Sequence, residues 1–148
     1  SLMDKYDAEL RAIMLADNEA ALANEVSARM CALAERHGKT LFPADIKQLY
    51  SARERLLREA DRIELGAGIL PQIVYALCDS PFIDAHGFAD ALEEFMELFY
   101  SYKNDCEDEI TDDELIDALT GYFNDCEGDW QQTADAGFAE ILRAARRE

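Results

Sequence analysis

Between Asp105 and Asp117 the chain places eight carboxylates in thirteen residues, with no base among them. Carboxylates at that density are the oxygen donors a hard divalent cation takes. An EF-hand loop draws oxygens from positions 1, 3, 5, 7, 9 and 12, with glycine at position 6 and an apolar residue at position 8. With Ile110 at position 8, Asp105, Glu107, Thr111 and Glu114 fall at positions 3, 5, 9 and 12. Position 1 is then Lys103, whose ammonium repels a cation, and position 6 is Asp108 where the turn asks for glycine. The same run also reads as a solvated acidic turn. It ends in Thr111-Asp112-Asp113-Glu114, a capping box that starts a helix.

A second group is cationic. Arg55, Arg58 and Arg62 recur at i, i+3 and i+7 on one helical face. One reading is a solvated face with pairs such as Glu54–Arg58 and Glu59 nearby. The other is a docking surface for the acidic second half, including Asp108, Glu109, Asp112 and Asp113, within the fold or across a dimer.

Other chemistry is weakly signalled. Gly66-Ala67-Gly68 before a helix has the glycines of a phosphate loop but lacks Gly-Lys-Ser/Thr and has Glu64 beside it. A tight helix–helix turn accounts for it. His37 and His86 are the two histidines, and no local spacing makes either a metal ligand. Asp84 with His86 resembles an acid–base pair without a nucleophile, and an N-cap role for Asp84 suffices. Cys31, Cys78, Cys106 and Cys126 include no C-x-x-C pair and read as reduced thiols. The sequence offers no catalytic constellation and no cofactor motif, although catalytic groups can converge from distant parts of a chain.

The net charge is −18 over 148 residues. Residues 1–65 hold ten bases and twelve acids, net −2, whereas residues 66–148 hold four bases and twenty acids, net −16. Such a chain repels polyanions, so nucleic acid is not an expected partner. No apolar run approaches a membrane span and no secretory signal is visible, which points to a cytoplasmic protein. Ser1-Leu2 before Met3 reads as a cloning remnant.

The elements that must position these groups are helical. Leu10, Ile13 and Met14, then Leu22, Val26, Met30 and Leu33, share one face of a segment ending at His37-Gly38. Pro43 opens a helix to about Asp61, with Ile46, Leu49, Tyr50, Arg53, Leu56 and Leu57 on its period. A short apolar helix covers about Ile69 to Leu77, and Ser80-Pro81 stops it. A helix from Ala85 to Lys103, capped by Asp84, turns Phe88, Leu92, Phe95, Met96, Phe99 and Tyr102 inward. Helices from Thr111 and from Trp130 to Arg146 complete the chain. Trp130, Tyr100, Tyr102 and Tyr122 belong in or against the core at this spacing. The expectation is an all-α protein: one domain over residues 1–148, an antiparallel helical bundle of five to seven helices.

The strings Arg62-Ile63-Glu64-Leu65-Gly66-Ala67-Gly68-Ile69-Leu70-Pro71, Cys78-Asp79-Ser80-Pro81-Phe82-Ile83, Phe99-Tyr100-Ser101-Tyr102-Lys103-Asn104 and Thr111-Asp112-Asp113-Glu114-Leu115-Ile116 resemble a bacterial family of small proteins of unknown function. The likeness runs from about Leu22 to Leu142, and residues 3–21 are least like it. The resemblance implies a bacterial cytoplasmic protein and carries no activity, ligand or catalytic residue.

The residues together favour a non-catalytic interaction module whose acidic half meets a cationic protein, or its own arginine-bearing helix in a homodimer. The alternative is divalent-cation binding through Asp105, Glu107, Thr111 and Glu114.

Overall fold

The computed structural model describes residues 25–106 and 109–146. Seven α-helices and no strand lie among those residues: α1 (Ser27–Arg36), α2 (Pro43–Glu59), α3 (Leu70–Leu77), α4 (Phe88–Asp105), α5 (Asp112–Asp125), α6 (Trp130–Asp135) and α7 (Phe138–Arg146). The protein is an all-α helical bundle. The expected helical stretch around Leu10, Ile13, Met14 and Leu22 lies outside the described residues.

The shortest apolar helix forms the centre. α3 is hydrophobic nearly all round, so most of its surface must be covered by other helices. Leu70, Pro71, Ile73, Val74 and Leu77 are buried, and α1, α4 and α5 pack against it. Pro71 is its second residue, where a missing N–H breaks no helical bond. Around α3, Met30, Phe88, Leu92, Phe95, Met96, Phe99, Leu115 and Phe123 are sealed from solvent. Each such side chain contributes roughly 1.5–3 kcal/mol of transfer free energy, which offsets the entropy of ordering a strongly charged chain.

Local chemistry sets the boundaries. Gly38 takes φ +75° just after α1, the left-handed stop expected there. At the start of α2 the Asp45 carboxylate accepts the Phe42 N–H at 2.8 Å. The Thr111 hydroxyl accepts the Glu114 N–H at 3.3 Å and opens α5.

Three expected boundaries are corrected. α2 ends at Glu59 because Asp61 turns left-handed at φ +55°, so Arg62 lies beyond the helix that carries Arg55 and Arg58. Asp84 does not cap α4 with its side chain. A 3-10 turn, Ala85–Gly87, precedes Phe88, and the Ala85 carbonyl instead accepts the Thr40 N–H at 2.9 Å. The expected last helix is two, broken where Ala136 becomes extended before Gly137. The reason is tertiary. The buried Tyr102 hydroxyl needs an acceptor, and the break turns the carbonyls of Thr133 (2.8 Å) and Ala136 toward it.

The approach to α4 is stapled from two sides. Lys39 Nζ donates to the carbonyls of Ser80 and Ile83 at 2.7 and 2.6 Å, and the Ser80 hydroxyl donates to Asn124 Oδ1 at 2.7 Å. Gly128 completes the closure at φ +79°, since a Cβ there would stand 2.6 Å from Phe82 Cβ.

Candidate functional site

An arginine occupies a core position of α2. Ile46, Leu49, Arg53 and Leu56 form its buried stripe, and Arg53 is 8% exposed. A guanidinium there must find acceptors or the burial would be prohibitive. It finds them in the α2–α3 connection. Nε donates to Glu64 Oε1 at 2.9 Å, Nη2 to the Glu64 carbonyl at 3.0 Å and Nη1 to the Gly66 carbonyl at 3.3 Å. Its carbon lies 5.5 Å from the Tyr50 ring centroid, a cation–π contact, while the Tyr50 hydroxyl donates to the Ala67 carbonyl at 3.1 Å.

Glu64 answers from the connection. Besides Arg53, its Oε1 accepts the Ile69 N–H at 3.2 Å, and its Oε2 accepts the Tyr100 hydroxyl from α4 at 2.7 Å. The carboxylate thus takes three donors from three parts of the chain. Gly68 at φ +66° makes room: a Cβ there would collide with Glu64 Oε1 and stand 2.7 Å from Arg53 Nη2. Burial, then the Glu64 carboxylate, pushes the Tyr100 phenol far above the ordinary tyrosine value. Burial likewise pushes Tyr50 up to about 12.

Chemically this cluster is a clamp. Each guanidinium nitrogen and each phenol oxygen donates to an acceptor within it, and both phenols stay protonated at neutral pH. It fixes residues 62–69 against α2 and α4. Arg53 lies on the helical period of α2, but the clamp is not visible in the sequence. The available signal was a cation within an apolar stripe, which requires a counter-charge somewhere in the fold.

The clamp has a sequel at the far end of α4. Arg62 Nε donates to Asn104 Oδ1 at 2.7 Å, and Arg62 Nη2 to the Lys103 carbonyl at 3.4 Å. Lys103 is itself buried, and its ammonium donates to the Ile110 carbonyl at 2.6 Å and pairs with Asp112 at 2.9 Å. The acidic turn therefore carries its own cation on the side chain of a residue from α4.

The sequence-selected residues fall as follows. Arg55 pairs with Glu59 at 3.6 Å and reaches Glu97 of α4 at 3.7 Å, both among exposed groups. Arg58 is exposed. Of the acidic set, Asp105, Glu109, Thr111 and Glu114 are exposed, Asp112 and Asp113 are half-buried, and Glu107 and Asp108 lie outside the described residues. The Thr111 hydroxyl sits 2.6 Å from Asp113 Oδ1 and 2.9 Å from Glu114 Oε1, an arrangement that serves the start of α5. Among the described residues no group of three or more His, Cys, Asp or Glu side chains is placed to share a metal ion. His37, Asp84 and His86 are exposed, and all four cysteines are free thiols. Tyr100 and Tyr102 are buried, and Trp130 and Tyr122 pack against the core. A groove of about 480 Å³ lies along the seam where α5 and α7 pack, lined by residues that include Glu114, Asp117, Asp125 and Arg146.

Residues 28–148 match a family of unknown function, DUF6323, and the chain belongs to that family. The match spans the clamp, α4 and the acidic turn, and begins within α1. Comparison with curated proteins and with solved structures finds no match. No helix among the described residues is long and apolar enough to cross a membrane.

Proposed function

We propose that the chain is a non-catalytic docking module of the bacterial cytoplasm that recruits a cationic protein through its acidic second half. The observation that carries this reading is the division of charge, net −2 over residues 1–65 and −16 over residues 66–148. The division is reinforced by what the arginines do. Arg53, Arg55 and Arg62 are engaged by Glu64, by Glu59 and Glu97, and by Asn104. Carboxylates on and around α5, with Glu109, Asp117 and Asp125 exposed, then dominate the outward field. A one-signed surface accelerates encounter with a cationic partner and turns away polyanions. The self-contained clamp supports the non-catalytic part, because its ionisable groups are spent on each other.

The test is capture from a bacterial lysate on the immobilised chain at low and high salt, in parallel with Glu109→Gln/Asp117→Asn/Asp125→Asn. The native chain retains a basic protein at low salt and loses it at high salt, and the neutralised variant retains much less. Equal capture by both chains, or no salt-sensitive capture, refutes the reading. Light scattering on the purified chain separates this from a homodimer.

A further inference from the structure

Residues 62–65 invert the usual polarity of a surface segment. Exposure alternates along it: Arg62 and Glu64 turn toward the body, while Ile63 and Leu65 turn to water at 92% and 86% exposure. The charged members, both half-buried, are held against the body by Asn104, Arg53, Tyr100 and the Ile69 N–H, and the aliphatic members are pushed out. An isolated exposed leucine is ordinary, but two β- and γ-branched side chains on a clamped backbone are not a fold requirement. The clamp fixes the backbone that displays them, which lowers the ordering cost of binding.

We infer that Ile63 and Leu65 form a rigid apolar anchor that enters a concave slot on a cationic partner protein. Two features select this occupant. Two exposed aliphatic side chains gain most where a slot encloses and desolvates both, as at the centre of a protein interface. The anchor is also flanked by carboxylates. Asp61 and Asp105 adjoin the two ends of the Arg62–Asn104 bridge, and both are exposed. A slot with a basic rim matches them. The inference rests on the docking function proposed above, and adds the short-range contact to the long-range charge.

The experiment introduces a photo-crosslinking phenylalanine analogue at position 63, at position 65 and, as a control, at Gln131, in the full chain inside bacterial cells. The expected result is one basic protein linked from positions 63 and 65 and not from 131. Ile63→Ser/Leu65→Ser is then compared with the native chain for retention of that protein at low salt. Retention falls at least tenfold while the melting temperature is unchanged, because neither side chain serves the core. Links only to a second copy, to residues 1–24 of the same chain or to lipid overturn the inference, as does no link at all. So does a large drop in melting temperature for the double variant. If the double variant keeps the salt-sensitive partner, the anchor is wrong and the electrostatic reading stands. If neither chain retains a salt-sensitive protein, the docking function itself fails.

Discussion

Replacing Arg53 with methionine tests the clamp most directly, because methionine keeps the stem volume and removes the charge and every donor. The substitution leaves the Glu64 carboxylate with the Ile69 N–H and the Tyr100 hydroxyl, and strips the Glu64 and Gly66 carbonyls of their guanidinium donors. Breaking a buried ion pair from one side costs about 3–5 kcal/mol. The Glu64 side chain is 18% exposed and keeps two donors, so the lower end applies, about 3 kcal/mol. For a chain of this size that is a fall in melting temperature of about 6–12 °C. Urea unfolding followed by circular dichroism measures it, and hydrogen exchange at the Ile69 amide shows whether the connection loosens. Arg53→Met/Glu64→Leu should be less destabilised than the sum of its single variants by about 1–3 kcal/mol, since no charge is then stranded. A single variant within about 0.5 kcal/mol of the native chain, or strict additivity in the double, refutes the argument that this pair holds the connection.

Other outcomes follow from the same geometry. Gly68→Ala forces a side chain into left-handed backbone, costing about 1–2 kcal/mol, and into Glu64 and Arg53; thermal melts should show a loss near that of Arg53→Met, and a neutral effect would mean the clamp yields easily. Tyr50 and Tyr102 are raised to about 12 from the ordinary 10, and Tyr100 is raised further, with burial the leading cause in each. A raised folded value means their contribution is whole below pH 10 and drains away as the pH climbs through about 12, so urea midpoints should fall over that interval; a flat profile there contradicts the burial of these phenols. Millimolar calcium should leave the melting temperature unchanged, because Lys103 already places an ammonium against Ile110 and Asp112; a rise would favour the Asp105, Glu107, Thr111, Glu114 loop as a cation site. Moderate sodium chloride should raise the melting temperature by screening the −16 half, and a fall would mean its carboxylates are paired favourably.

Periodicity, stop signals and charge are local or additive properties, and these were legible without coordinates. The apolar spacing marks two long helices, expected over about 43–61 and 85–103 and found over 43–59 and 88–105, Gly38 and Pro43 mark the junction of α1 with α2, and Thr111 starts α5 with its own hydroxyl. The division between a nearly neutral first half and an anionic second half needs only counting. The clamp required the tertiary structure. Arg53 and Glu64 are eleven residues apart, and Tyr100 is thirty-six from Glu64. Their meeting depends on how α2 and α4 pack and on a left-handed glycine between, which no helical period encodes. The same holds for the Ala136 break, where the chain yields its helix to a distant phenol, and for the outward turn of Ile63 and Leu65. Sequence determined where most of the described helices lie and where the charge lies, because each helix forms by neighbours three and four apart. Packing decided which polar groups are inside, because a buried charge is tolerated only where another part of the chain arrives to meet it.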